Sequence, residues 1–362
     1  MLIVGIVLSP YALDLLSPDL LRISSDLRQL ALIIILTRAG LSFDFLELKK
    51  NGRSAIMLCF VPALLEIIGY ILLGTRLLNL SFREAAILGC VMAAVSPAVI
   101  VPRMLKLKED GYGTSKGIPQ MIMAGASADD IFVIVLFTSL MALPSDKSID
   151  LGILWKIPCS IFLGIGIGLL FGWLFAKLFK KVHIRDSVKI IVLICFSILF
   201  VSFQNLVDAT VLFSGLLAVI SMSAMLYRSH EVCAKRLSVK YNKLWLVAEI
   251  FLFVLVGAAV DLHFALQAGV MILAVMGLSM IFRLAGVWLC LLGTKLNYKE
   301  RLFCMISYLP KATVQAAIGA IPLSMGLSCG QTVLTAAVIS ILTTAPIGAF
   351  LIDLLYDKLL NK

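Results

Sequence analysis

Asp129 and Asp130 stand side by side in GASADDIFVI (125–134), inside an apolar stretch running from about Ile118 to Leu143. A carboxylate at the centre of a membrane helix costs roughly 2.5–3.5 kcal/mol on insertion scales, so two together need a chemical reason. Neighbours on a helix point about 100° apart; one can face a cavity while the other meets a partner helix. Burial and a like-charged neighbour both favour the protonated form of a carboxyl. A group that holds either a proton or a metal cation, but not both, is the minimal device for exchanging them.

Other charges lie at membrane depth. Glu66 and Arg283 have opposite signs, and pairing is the cheapest way to hold both in a low dielectric. A direct pair predicts that exchanging the two residues does less harm than losing either one. Lys311 follows Pro310, where an ammonium would neutralise the exposed carbonyl end of an interrupted helix. Arg38 lies near the end of its segment and can snorkel to the interface. Glu249 reads as one to two turns into its segment on the cytoplasmic side, where it either lines an ion funnel or is simply exposed at the mouth. The eight cysteines and three histidines show no CxxC or HExxH spacing, which argues against a resident metal or redox centre. An intramembrane aspartyl protease needs its two acids on different helices and a GxGD motif. Here the acids are adjacent and no GxGD occurs.

The elements that carry these residues are membrane helices. Hydrophobic residues make up 61% of the 362-residue chain and charged residues 14%, against about 25% charged in soluble domains. Mean hydropathy is +1.06. About twelve apolar segments recur, many long enough to cross a bilayer as helices: 1–13, 27–43, 53–75, 83–105, 117–143, 150–178, 187–205, 209–227, 243–260, 264–292, 299–323 and 330–356. Continuous runs of this kind argue against a β-barrel. The first, MLIVGIVLSPYAL, meets its Ser-Pro stop too early to span. It has neither the basic start nor the small-residue cleavage site of a signal peptide, and reads as a helix whose beginning is missing. Most of the 31 Lys and Arg fall in loops after even-numbered segments and in the C-terminal tail. The positive-inside rule places 44–52, 103–116, 179–189, 228–243, 293–301 and the C-terminus in the cytoplasm. The net charge of +10 is thus a topology signal, not one for nucleic acid.

An offset of 217 residues brings Gly40 onto Gly257, Asp44 onto Asp261, Gly52 onto Gly269, Glu66 onto Arg283 and Gly69 onto Gly286. Nearby, LLGTR (72–76) meets LLGTK (291–295), and Arg83-Glu84 meets Lys299-Glu300. Segments two and nine are an odd number of crossings apart, so the copies would be inverted, as in secondary transporters with a site at the midplane. Ser96-Pro97 and Leu309-Pro310 interrupt matched segments. Proline removes a backbone donor, and opened backbone at that depth must be buried in protein or line water.

The blocks LTRAGLSFD (36–44), AVSPAVIVPRML (94–105), GYGTSKGIPQMIMAGASADDI (111–131), YLPKATVQAAIG (308–319) and ILTTAPIG (341–348) closely resemble the NHA branch of sodium/proton antiporters, in the monovalent cation:proton antiporter superfamily. The resemblance runs from about Leu27 to Leu355. It implies an all-α polytopic membrane protein of about twelve helices, the first truncated, with inverted repeats and two crossed, broken helices, as in the NhaA-like antiporter fold. Repeat one would cover 27–143 and repeat two 209–356, with linking helices at 150–205 and ion-site helices at 83–143 and 299–356. It implies Na⁺ or Li⁺ exchange for H⁺ by alternating access, or on the same fold a K⁺-selective exchanger or symporter. No cofactor is implied beyond the transported ions. Asp129 and Asp130 match the paired acids of the ion site, Asp130 being the likelier direct ligand and proton carrier. Ser96 and Pro97 lie at the first helix break, Pro310 and Lys311 at the second. Arg283 stands where electrogenic relatives have a lysine paired with the first aspartate, and resembles branches in which an arginine pairs instead with a glutamate, here Glu66. Because arginine does not deprotonate, this arrangement points to one cation per proton. The resemblance further implies homodimers whose core moves against a dimerisation domain in the bilayer. A bacterial inner membrane is the expected location.

Overall fold

Helix follows helix along the chain. A computed structural model describes residues 1–42, 52–141, 151–182, 184–207 and 213–362, giving only the backbone at 151–160 and 205–207. In order come α1 (Leu2–Leu8), α2 (Pro18–Arg22), α3 (Ser24–Leu41), α4 (Gly52–Leu58), α5 (Val61–Leu77), α6 (Phe82–Ala93), α7 (Pro97–Glu109), α8 (Ile118–Met141) and α9 (Leu151–Lys181). There follow α10 (Asp186–Val207), α11 (Gly215–Ser229), α12 (Glu231–Ala258), α13 (Leu262–Cys290), α14 (Tyr298–Ser307), α15 (Thr313–Ile318), α16 (Ile321–Ser324) and α17 (Gly330–Leu359). No strand occurs among the described residues. Among the described residues, eight stretches are long and apolar enough to cross a membrane, two of them, 52–77 and 82–109, being pairs of helices joined by a short break. Asp44, with its match to Asp261, and the loop 44–51 lie outside the described residues, as do the segment ends 142–143, 150 and 209–212.

One expectation changes. The helix of segment nine begins at Glu231, not near residue 243, because the charged run Lys235–Lys243 continues it as a solvated helical turn sequence. Glu249 therefore lies eighteen residues after Glu231, about five turns in at 3.6 residues per turn. Glu249 is half-buried and lies within electrostatic reach of Arg38 on α3. The first apolar segment forms only seven helical residues. Its Gly5 lies against the Val254 backbone and opposite Gly257.

The chain forms two compact units. One comprises Met1–Leu21, Phe45–Val133 and Phe253–Lys362. In it α5 and α13 pack together, closely enough that a Cβ at Gly286 would stand 2.7 Å from Pro62 Cα. Its two interrupted helices start alike: Ser81 caps α6 in a capping box with Glu84, and Asn297 caps α14 in another with Glu300. Each box satisfies two otherwise orphaned backbone donors, and the paired residues are 216 apart, in keeping with the sequence repeat.

The other unit comprises Arg22–Asp44 and Ile134–Leu252. Here α9 carries Gly164, Gly168 and Gly172, four residues apart and so on one helix face. A Cβ on these would meet the carbonyls of Ser214, Ala218 and Met222 at 2.7, 2.4 and 2.3 Å. In lipid, where apolar burial no longer drives helices together, such close backbone approach supplies the packing. Gly168→Val is expected to cost at least about 1–3 kcal/mol, the usual penalty of overpacking. The check is the melting temperature of purified protein in detergent; an unchanged value would refute the contact.

Candidate ion-binding site

The site is built where two helices stop. Pro97 disfavours helical geometry at the residue before it, so α6 ends at Ala93, and Ala94–Ser96 run extended before Pro97 starts α7. On the other side α14 ends at Ser307, and residues 308–312, with Pro310 at their centre, separate it from α15. The two breaks touch: the Ser96 N–H donates to the Pro310 carbonyl at 2.9 Å, and Gln315 Nε2 donates to the Ala94 carbonyl at 2.8 Å. Lys311 N–H donates to Thr344 Oγ1 at 3.0 Å, tying the second break to α17. Opened backbone is thereby satisfied within protein, as its depth requires.

The last carbonyls of α6 have no intrahelical donors. Two cations cap them. Lys311 Nζ donates to the Met92 carbonyl and Arg283 Nη1 to the Ala93 carbonyl. Both cations also hold Glu66: Lys311 Nζ lies 2.7 and 2.9 Å from its two oxygens, and Arg283 Nη1 lies 2.7 Å from Oε2. Arg283 Nη2 then reaches Asp129 Oδ2 at 3.1 Å, while its Nε donates to the Tyr308 carbonyl at 2.8 Å. Glu66, Asp129, Arg283 and Lys311 are all fully buried. Arg283 pairs with Glu66 as expected, but not in place of the first aspartate, since a planar guanidinium offers its separate nitrogens to both acids.

Adjacent aspartates meet different surroundings. Asp129 Oδ2 accepts from Arg283 and also from the Val95 N–H at 3.0 Å, in the first break. Asp130 accepts no hydrogen bond from any described residue, and its Oδ1 is buried without a partner. Asp129 Oδ1 and Ser96 Oγ are buried and unpartnered too. Such buried polar atoms ordinarily have partners; three hard oxygen donors of this kind suit an alkali cation or a proton. Lys311 does neutralise carbonyl ends, as its position suggested, but its contact with Glu66 was not anticipated.

Sequence reading missed Gln315, Tyr308 and Gly125. Gln315 is a buried amide in an apolar run, a legible signal for a structural hydrogen bond. Gly125 and Tyr308 give no such signal. Gly125, one turn before Asp129, leaves room for the Tyr308 hydroxyl, which a Cβ would approach to 2.2 Å.

Crossed helix breaks with buried acids and cations between them define a polytopic ion-transport fold. The profile of the family "Sodium/hydrogen exchanger, transmembrane" matches residues 1–356, and the chain belongs to that family, which is one of transporters and not of enzymes. It is 35% identical over 359 residues to human sodium/hydrogen exchanger 9B2, covering 94% of this chain and 65% of that protein. Mouse sodium/hydrogen exchanger 9B1 is 33% identical over 354 residues, covering 94% of this chain and 61% of that protein. The chain thus spans less than two thirds of the length of these relatives. The fold matches that of the sodium proton antiporter MjNhaP1 from Methanocaldococcus jannaschii with a TM-score of 0.83, at 21% identity, over 100% of this chain and 92% of that one.

Proposed function

We propose that this chain exchanges Na⁺ or Li⁺ for H⁺ by alternating access, the cation and the proton competing for Asp130, with Asp129 and Ser96 as neighbouring ligands. One observation carries the reading: Asp130 is buried and accepts no hydrogen bond from any described residue, while its neighbour is held by Arg283 and Val95. Support comes also from family membership and from the names of the relatives, which are exchangers. The resemblance further supports a homodimer, and the distribution of Lys and Arg a cytoplasmic C-terminus.

Formal charge supplies the stoichiometry. The buried cluster holds Glu66, Asp129 and Asp130 against Arg283 and Lys311, three negative charges against two positive. The surplus of one is neutralised by one proton or one monovalent cation, and Arg283 cannot act as a further proton carrier. Exchange is therefore one for one and moves no net charge.

The test is proton flux in proteoliposomes driven by Na⁺, Li⁺ and K⁺ in turn, with the membrane potential clamped and then released. Flux with Na⁺ and Li⁺, unaffected by potential, is expected. Flux with K⁺ alone would replace the cation assignment, and a strong dependence on potential would overturn the charge count.

A further inference from the structure

The unit formed by Arg22–Asp44 and Ile134–Leu252 has a charged site of its own. Where α9 ends, α10 begins and α11 turns into α12, a cavity of about 800 Å³ gathers Lys180, Arg185, Lys189, Arg236 and Lys240 around one carboxylate, Asp186. Asp186 is shared among three of them, at 3.7 Å from Lys189, 3.4 Å from Arg236 and 3.8 Å from Lys240. None of these is a close contact, so one charge is spread thinly. Lys180 and Arg185 have no acidic partner among the described residues. Five cations against one acid leave a formal surplus of four positive charges. Lys189 is the costly member: its side chain is 5% exposed, its ammonium lies over the Phe179 ring, and Cys233 Sγ stands as far from it as Asp186, at 3.7 Å. His230, in the turn between α11 and α12, reports the same field. Partial burial, then Lys180, Lys189 and Arg236, hold its imidazole below the ordinary histidine range.

A buried ammonium and two unpaired cations facing one cavity call for an anion. The position indicates which kind. Three of these helices, α9, α10 and α12, are long and apolar enough to cross a membrane, and the cavity lies at their ends, where a bilayer crossed by them would bring lipid headgroups. Its lining is partly apolar: Phe179, Ile184 and Val232 belong to it, and Val232 is exposed. A soluble anion would use the cations and leave Val232 in water; a lipid uses both. Basic pockets between membrane helices bind anionic headgroups through this combination.

We propose that this cavity binds the phosphate-bearing headgroup of an anionic lipid carrying close to two negative charges. The probe is phosphatidic acid, whose phosphomonoester is small and nearly doubly charged, with phosphatidylcholine as the uncharged comparison. Purified full-length chain in detergent is melted with increasing amounts of each lipid. Phosphatidic acid is expected to raise the melting temperature saturably, and phosphatidylcholine to leave it unchanged. In Lys180→Gln/Arg185→Gln, where both side chains are exposed, half-saturation is expected to need about tenfold more lipid, equivalent to about 1.4 kcal/mol, with no change in the lipid-free melt. Arg236→Gln, also exposed, gives a second reading of the same shift should the double variant fold poorly. Equal responses of the parent and these variants would overturn the proposal. So would an equal shift from glycerol phosphate at the same concentration, which would make the cavity a site for soluble anions.

Discussion

Asp130→Asn is expected to fold and to carry no cation-driven proton flux, while Asp129→Asn loses stability as well as transport. The two residues are neighbours of identical chemistry, so the contrast comes from their surroundings alone. Asp130 accepts no hydrogen bond from any described residue, so it ties no other element in place. Replacing it with the isosteric amide removes a charge, and with it any competition between a proton and a cation, at a cost to stability below about 1 kcal/mol, as for a change that breaks no specific contact. Asp129 is different. Its Oδ2 receives the Arg283 guanidinium and the Val95 N–H. An asparagine oxygen can still accept from Val95, but the guanidinium then faces a neutral amide. Losing a hydrogen bond to a charged group costs roughly 1.5–3 kcal/mol. Melting in detergent and flux in proteoliposomes, measured on both variants, separate the two roles. Wild-type flux from Asp130→Asn would remove the carrier from position 130, and equal stability losses would remove the asymmetry on which its choice rests.

Exchanging Glu66 and Arg283 is expected to be as damaging as removing either, contrary to what an isolated pair predicts. Glu66 is held from both sides, by Arg283 and by Lys311. After the exchange an arginine at 66 would face Lys311, and a glutamate at 283 would face Asp129. Both contacts become repulsive in a buried site, and the Ala93 carbonyl loses its donor. Breaking one partner out of a buried ion pair typically costs about 3–5 kcal/mol, and the exchanged chain offers no compensation.

The informative rescue is a different pair. Glu66→Gln alone leaves Arg283 and Lys311 with the two aspartates, which cancels the surplus negative charge that a cation would neutralise. Flux is expected to be lost along with stability. Glu66→Gln with Lys311→Met keeps the Arg283–Asp129 contact and restores a surplus of one negative charge on Asp130. That double variant is expected to recover cation-driven flux and to melt above Glu66→Gln. Flux in the single variant but not in the double would show that the charge balance does not govern cation binding.

The sequence alone was enough for the membrane class, the helical architecture, the two breaks and the identity of the buried charges. Its signals are local: apolar runs must become helices to satisfy their backbone in lipid, proline removes a backbone donor and marks where a helix can break, and a charge among apolar residues is visible without coordinates. The offset of 217 even placed Glu66 and Arg283 at equivalent positions, and they are in contact. Helix ends were less legible. α12 extends back to Glu231 because a solvated charged stretch continues a helix as readily as it forms a loop. Which charge meets which could only come from the tertiary structure. Arg283 bridges Glu66 and Asp129, and Lys311 joins Glu66 to the end of α6, because residues more than two hundred positions apart converge on one crossing. The same holds for the difference between Asp129 and Asp130. In the sequence they are equals, separated only by the turn of a helix; the Val95 N–H and the Arg283 guanidinium, both brought by other helices, engage one of them and leave the other without a partner.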